Sequence, residues 1–145
     1  MIPERIKSEI VIAAPVERVW AAVTEAGHVG TWFGDAGAEI DLRPGGTMSL
    51  SWKEHGTVRA VIEKVEPHSF FSYRWVGSIA ADPVDGNSTL VEFTLVPEGG
   101  GTRLRVVESG FRELNQPEDV TTRYVDGNVE GWRIELSELQ EYLER

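Results

Sequence analysis

Apolar and polar residues alternate from Arg5 to Ala13, with Ile6, Ser8, Ile10 and Ile12 on one side and Lys7 and Glu9 on the other, which predicts a half-buried strand. Pro15 ends it. The same proline suits the first position of a helix, where a missing N–H costs nothing, and Glu17 favours the positive end of the helix dipole. Val16, Val19, Trp20 and Val23 then recur at helical spacing. Gly27 interrupts, and a second short helix is predicted from His28 to Phe33, ending at Gly34 and presenting Val29, Trp32 and Phe33 for burial.

After Gly37 the period returns to two. Strands are predicted over Ala38–Leu42 and Thr47–Lys53, joined by the turn Pro44-Gly45-Gly46, with Met48, Leu50 and Trp52 on one face of the second. Another runs from Gly56 to Val65. Pro67-His68 turns the chain, and Phe70–Val76 follows with Phe71, Tyr73 and Trp75 on one face and Ser72 and Arg74 on the other. Gly77 to Ser88 is the longest predicted loop, and mobility is expected there. Leu90–Val96 and Thr102–Ser109 close the series through Pro97-Glu98-Gly99-Gly100-Gly101, with Val91, Phe93 and Leu95 facing Leu104 and Val106.

These strands need a cover for their apolar face. Val125, Val129, Trp132, Leu136, Leu139 and Leu143 recur at steps of three and four, an apolar stripe on a C-terminal helix that starts near Gln116-Pro117-Glu118-Asp119. Acidic and basic residues occupy its other side. Gly127 and Gly131 each weaken that helix by up to about 1 kcal/mol, so a bend or a late start is expected. The order is therefore strand, two helices, six strands, helix: an α+β domain with a seven-stranded antiparallel sheet.

Composition narrows the partners. The 145 residues are 41% hydrophobic, enough for one core and too few for a second domain, so a single domain over residues 1–145 is expected. A net charge of -10 repels phosphate backbones and anionic headgroups, which argues against nucleic acid as a partner. Cysteine is absent, removing disulfides and thiolate chemistry and fitting a reducing compartment. Met1 to Arg5 opens no long apolar run, and no stretch approaches the roughly 18 apolar residues that span a bilayer, so the cytoplasm is the expected location.

The order of elements and several short motifs resemble the SRPBCC superfamily of START-related, helix-grip domains, and within it homologues of the C-terminal domain of the heat-shock protein 90 ATPase activator. The motifs are Ala14-Pro15 with Val19-Trp20, Trp32-Phe33, Pro44-Gly45-Gly46, Tyr73-Arg74-Trp75, Gly101-Thr102-Arg103-Leu104, Ser109-Gly110-Phe111, and Gly131-Trp132 followed by Leu136, Leu139 and Leu143. Together they cover nearly the whole chain. The resemblance implies a sheet curled around the C-terminal helix with a cavity between them, which relatives use for lipids, hormones or polyketide intermediates. It supplies no reaction, because one fold hosts many functions.

Trp32, Phe33, Trp52, Tyr73, Trp75, Phe93, Phe111 and Trp132 are expected on the concave face, where aromatic rings suit a small apolar ligand or simply fill the core. Gly131 beside Trp132, and the small residues Ser8 and Ala60, favour a void. Glu108 shares parity with Leu104 and Val106, which makes it a carboxylate able to anchor or protonate a ligand at the pocket mouth. Tyr73 and Tyr124 offer hydroxyls.

No metal and no cofactor is expected. His28, His55 and His68 lack ligand spacing, Asp82, Asp85 and Asn87 lack the alternation and distal glutamate of a calcium loop, and Gly99-Gly100-Gly101 sits in a hairpin with no following helix.

The leading expectation is a carrier or sensor of a small hydrophobic or aromatic molecule. A cyclase-like or hydrolase-like enzyme using Glu108, Tyr73 and Arg74 is one alternative. A chaperone-binding, ATPase-activating module, which the family name implies, is the other; a counterpart of the separate N-terminal domain of full-length eukaryotic activators is not expected within these 145 residues. Ile2, Val11 and Val107 are open to surface or dimer contact, so monomer and homodimer both remain expected.

Overall fold

The computed structural model describes residues 2–77 and 81–145. Its elements follow the expected order: β1 (Arg5–Ile12), α1 (Val16–Thr24), α2 (Ala26–Trp32), β2 (Ala38–Ile40), β3 (Thr47–Trp52), β4 (Gly56–Glu66), β5 (Phe70–Val76), β6 (Ser88–Glu98), β7 (Gly101–Ser109) and α3 (Glu118–Glu144), with a 3-10 turn at Phe111–Glu113. The strands form one seven-stranded antiparallel sheet in the order β1-β7-β6-β5-β4-β3-β2, curled around α3 in the helix-grip manner.

The N-terminal strand closes the sheet against the last one, Ile6 opposite Glu108 and Ile12 opposite Thr102. On the outer face Glu9 joins Arg103 and Arg105 at 2.7 and 2.9 Å, and those two guanidinium hydrogen bonds hold its carboxyl below the ordinary range. The β6–β7 connection is tighter than its composition suggests. Strand pairing continues to Glu98 and Gly101, and Gly99 and Gly100 make the turn alone, both with positive φ (55° and 85°) as a two-residue hairpin requires.

Local geometry shifts several expected boundaries. Pro15 is the extended residue before α1, with φ −66° and ψ 156°, rather than its first helical residue; its carbonyl accepts the amides of Arg18 and Val19. Helix α2 starts before Gly27, because Glu25 is extended and its carbonyl accepts the amides of His28 and Val29. Gly30, within α2, is needed for contact: a Cβ there would sit 2.8 Å from the Ala38 nitrogen, so only glycine lets α2 lie against β2. Strand β2 stops at Ile40, since Asp41 to Gly46 folds into consecutive turns. Strand β4 carries a bulge at Glu63, between the pairs Ile62–Tyr73 and Lys64–Ser72. Ser72, expected on the outer face, is buried there opposite Lys64 and Glu92.

The last helix departs most from expectation. It runs unbroken from Glu118 through Gly127 and Gly131 to Glu144, without the late start. Packing outweighs the glycine cost: Thr121, Val125, Trp132, Leu136, Leu139 and Leu143 are all buried along it. Val129, expected in that stripe, is 50% exposed. At 100° per residue it falls about 50° off the centre of the buried face. The C-terminal half of α3 is tied to the β1–α1 corner, where Ala13 donates its amide to Glu144 and Arg18 donates to the Leu143 carbonyl, and to α2, whose His28 Nδ1 meets the Tyr142 hydroxyl at 2.6 Å.

Of the long segment Gly77 to Ser88, residues 78–80 lie outside the described residues. Further on, Asn87 accepts the Val84 amide at 2.8 Å and donates to the Asp82 carbonyl at 3.1 Å, closing a local turn. Among the described residues no helix is long and apolar enough to cross a membrane.

Candidate functional site

Between the sheet and α3 the inward positions of β3, β5, β6 and β7 carry Trp52, Tyr73, Trp75, Phe93 and Glu108. The end of α2 adds Phe33, and α3 adds Tyr124, Asn128, Trp132 and Glu135. Six rings form one continuous cluster: Trp75 stacks on Trp132 at 5.5 Å between centroids, Phe33 lies 5.6 Å from Trp132 and 5.5 Å from Trp52, Phe93 meets Trp132 edge-on at 5.9 Å, and Tyr73 touches Trp75 at 5.6 Å.

The other ring residues named from the sequence sit elsewhere. Trp32 stacks on the back of Phe33 and donates its indole N–H to the Ala22 carbonyl at 2.6 Å, so it ties α2 to α1. Phe111 and Tyr124 pair at 5.9 Å toward the start of α3, where the Tyr124 ring fills the space a side chain at Gly77 would need.

Glu108 is fully buried and both its oxygens are occupied twice. Oε2 accepts the Trp75 indole N–H at 2.9 Å and the Thr89 hydroxyl at 2.6 Å; Oε1 accepts the Asn128 amide and the Trp132 indole N–H, each at 2.9 Å. Expected at a pocket mouth, this carboxylate instead sits beneath the cluster and joins three strands to α3. A buried charge is tolerable when its lone pairs are met this completely.

Among the described residues, two buried side-chain oxygens are left without a partner: Tyr73 Oη and Glu135 Oε2. Burial, and then the Glu108 carboxylate, hold the Tyr73 phenol well above its ordinary pKa. Burial likewise pushes the Glu135 carboxyl up to about 8, and the adjoining Glu138 carboxyl adds to the shift. Tyr124 is pushed up to about 12, by burial first and by Glu108 second, against a smaller opposing pull from Asn128 and Thr89.

Much of the space the sequence left open for a void is filled by the rings. What remains beneath α3 is a hollow of about 90 Å³ lined by Phe33, Trp75, Asn128, Gly131, Trp132 and Glu135. Nothing approaches within 4 Å of where a Gly131 side chain would begin. A second hollow, about 360 Å³, opens past Tyr124 between Gly77, Asn87, Asn115 and Val120. Asn128 and Glu135 were missed from sequence: the first lay between two glycines and looked like helix weakness, and the second was assigned to the outer, charged side. Their signal was present. Tyr124, Asn128, Gly131 and Glu135 sit at steps of four, three and four, a second helical stripe beside the apolar one.

A curled seven-stranded sheet closed by its first strand, two helices after that strand, and a long C-terminal helix gripped over an aromatic interior define the helix-grip class of the SRPBCC superfamily. Within that class the chain belongs to the Activator of Hsp90 ATPase homolog 1-like protein family, whose profile matches residues 13–144. The structure of protein MLL2253 from Mesorhizobium loti is similar over 97% of each chain, with a TM-score of 0.80 and 26% identity. The Aha1 dimer from Colwellia psychrerythraea shares the fold at TM-score 0.75 and 20% identity, over 97% of this chain and 96% of that one. DynU16, from the dynemicin biosynthetic locus, shares it at 0.76 and 24%, over 98% of this chain and 48% of its own. Comparison with curated proteins finds no significant match.

Proposed function

We propose that this protein binds a small hydrophobic or aromatic molecule between the curled sheet and α3, as a carrier or sensor. The carrying observation is the pairing of orphaned polar atoms with an aromatic wall. Tyr73 Oη and Glu135 Oε2 are the two buried side-chain oxygens left unmet among the described residues, and both belong to residues at the cluster of Phe33, Trp75 and Trp132. An unmet buried polar group costs about 1–3 kcal/mol, a cost a ligand with an apolar body and one polar end relieves. Trp52 and Phe93 extend the wall, Glu108 holds it in register, and Trp32, Phe111 and Tyr124 support its two ends. Since 90 Å³ admits only a small group, a larger ligand enters by turning rings aside or by reaching through toward Tyr124.

Melting curves of the protein against fatty acids and fused-ring aromatics, together with Nile red fluorescence, test this reading. A rise in Tm with at least one ligand class, and displacement of Nile red by it, is expected. Unchanged melting and no dye signal across the panel would sink it. The family's own description favours a second reading, an Hsp90-activating module. Its check is the ATPase rate of purified Hsp90 with and without this protein, where an unaltered rate over a wide concentration range removes it.

A further inference from the structure

The hollow under α3 has a composition that a neutral apolar ligand does not explain. Three of its walls are the rings of Phe33, Trp75 and Trp132, whose centroids form a triangle with sides of 5.5, 5.6 and 6.0 Å and whose planes lie within 26–34° of one another. Offset against one another, they make a stepped aromatic wall along the hollow. At its rim stands Glu135, with Oε2 buried and unpartnered, while Gly131 leaves the space between ring and carboxylate open. No cationic side chain pairs with Glu135 or Glu138 among the described residues: the nearest arginine along α3, Arg133, is engaged with Glu130.

We infer that this hollow recognises an organic ammonium group, the cation resting against the Phe33–Trp75–Trp132 wall and facing the Glu135 carboxylate. Ring faces are electron-rich and attract a cation placed within about 6 Å, best when water is excluded. Since Glu135 holds its proton to about pH 8 in the empty site, the cation binds as that proton leaves; the carboxylate so formed supplies the counter-charge, and its free oxygen the acceptor that an N–H or a polarised N–CH₃ meets. Two adjoining carboxyls, Glu135 and Glu138, are mutually disfavoured as a pair of anions, and an arriving cation removes that penalty. The inference rests on the reading of this space as a small-molecule site and names the chemical class of the molecule's polar end: an alkyl- or arylammonium, not a carboxylic acid.

Quenching of tryptophan fluorescence separates the two levels of the argument, using the full chain with benzyltrimethylammonium and neopentylbenzene, its uncharged isostere in which carbon replaces nitrogen. On the unaltered protein the ammonium binds about tenfold or more tightly than the isostere. In Glu135→Gln this preference falls to about twofold or less while affinity for neopentylbenzene is retained, which also shows that the variant is folded. Glu135→Asp, which keeps the charge but withdraws it by one methylene, gives an intermediate preference. Equal binding of both probes, or persistence of the full preference in Glu135→Gln, overturns the ammonium assignment and leaves an apolar site standing. If neither probe quenches, both the assignment and the apolar site fall.

Discussion

At the scale of single residues, Glu108 and Glu135 show how two carboxyls in one interior take opposite parts. Each oxygen of Glu108 accepts one indole N–H and one other donor. A glutamine placed there must therefore turn its NH₂ toward either Trp75 or Trp132, and an indole N–H cannot accept. Thr89 can rotate its hydroxyl, and Asn128 can flip, but neither adjustment rescues the indole. Glu108→Gln is expected to lose about 1.5–3 kcal/mol in denaturant unfolding, despite near-identical shape. A loss below about 0.5 kcal/mol would show that the four hydrogen bonds are not what holds the carboxylate there.

Glu135 predicts a pH dependence of definite sign. Its folded pKa of about 8 lies above the ordinary carboxyl value of 4.5, so the folded state holds its proton more tightly than the unfolded chain. Stability from this group is intact below about pH 4.5, falls as pH rises between the two values, and is level above about 8. Glu135→Gln removes the titration. The variant should melt like the parent at pH 4.5 and above it at pH 8.5, with the gap opening between. Glu138 on the same helix and Tyr73 on β5 face this group, and the Tyr73 phenol stays neutral across that range. A gap of constant size across the range would remove Glu135 as its source.

At the scale of elements, α3 carries two stripes with different tasks. The apolar stripe from Val125 to Leu143 seats the helix; on the adjacent stripe Asn128, Gly131 and Glu135 face the hollow, and Tyr124 borders the second one. Gly127 and Gly131 separate these tasks experimentally. Neither would bring a Cβ within 4 Å of another atom, so alanine at either position stabilises the helix, by about 0.5–1 kcal/mol each. Only Gly131 lines the hollow. Gly127→Ala and Gly131→Ala should therefore raise Tm alike, whereas only Gly131→Ala should weaken ligand or dye binding. Equal binding by both variants would place the ligand elsewhere.

For the molecule as a whole, the sheet depends on β1. It pairs along its full length with β7, nearly a hundred residues distant, and without it β7 becomes a nine-residue edge rich in unmet backbone groups. Deleting residues 1–12 is expected to convert a dispersed protein into one that aggregates, read by light scattering during expression and refolding. A dispersed, cooperatively melting truncation would contradict that dependence. The same distant pairing makes folding slow relative to a helical bundle of equal size, on the order of milliseconds to seconds in stopped-flow fluorescence.

Much of this architecture is legible in local pattern. Period-two runs placed β1 and β3 to β7, Gly99-Gly100 placed the hairpin, and three-four spacing placed α3 with Trp132 and Leu136 inward. Each depends on which side of a strand or helix a residue occupies, and neighbouring residues settle that. What the local pattern left open was decided by contacts between distant segments. Continuity of α3 through two glycines, the exclusion of Val129, and the different fates of Glu108 and Glu135 all arise where the helix meets the sheet. Parity puts Glu108 inside, but only the arrival of Trp75, Thr89, Asn128 and Trp132 from β5, β6 and α3 consumes its lone pairs; Glu135, on the flank of the same helix, receives no such donors. The sequence by itself determined a helix-grip sheet around an aromatic interior, because side-chain periodicity and turn chemistry are local. Tertiary structure alone decided which carboxylate stays open, because that depends on donors brought together from across the chain.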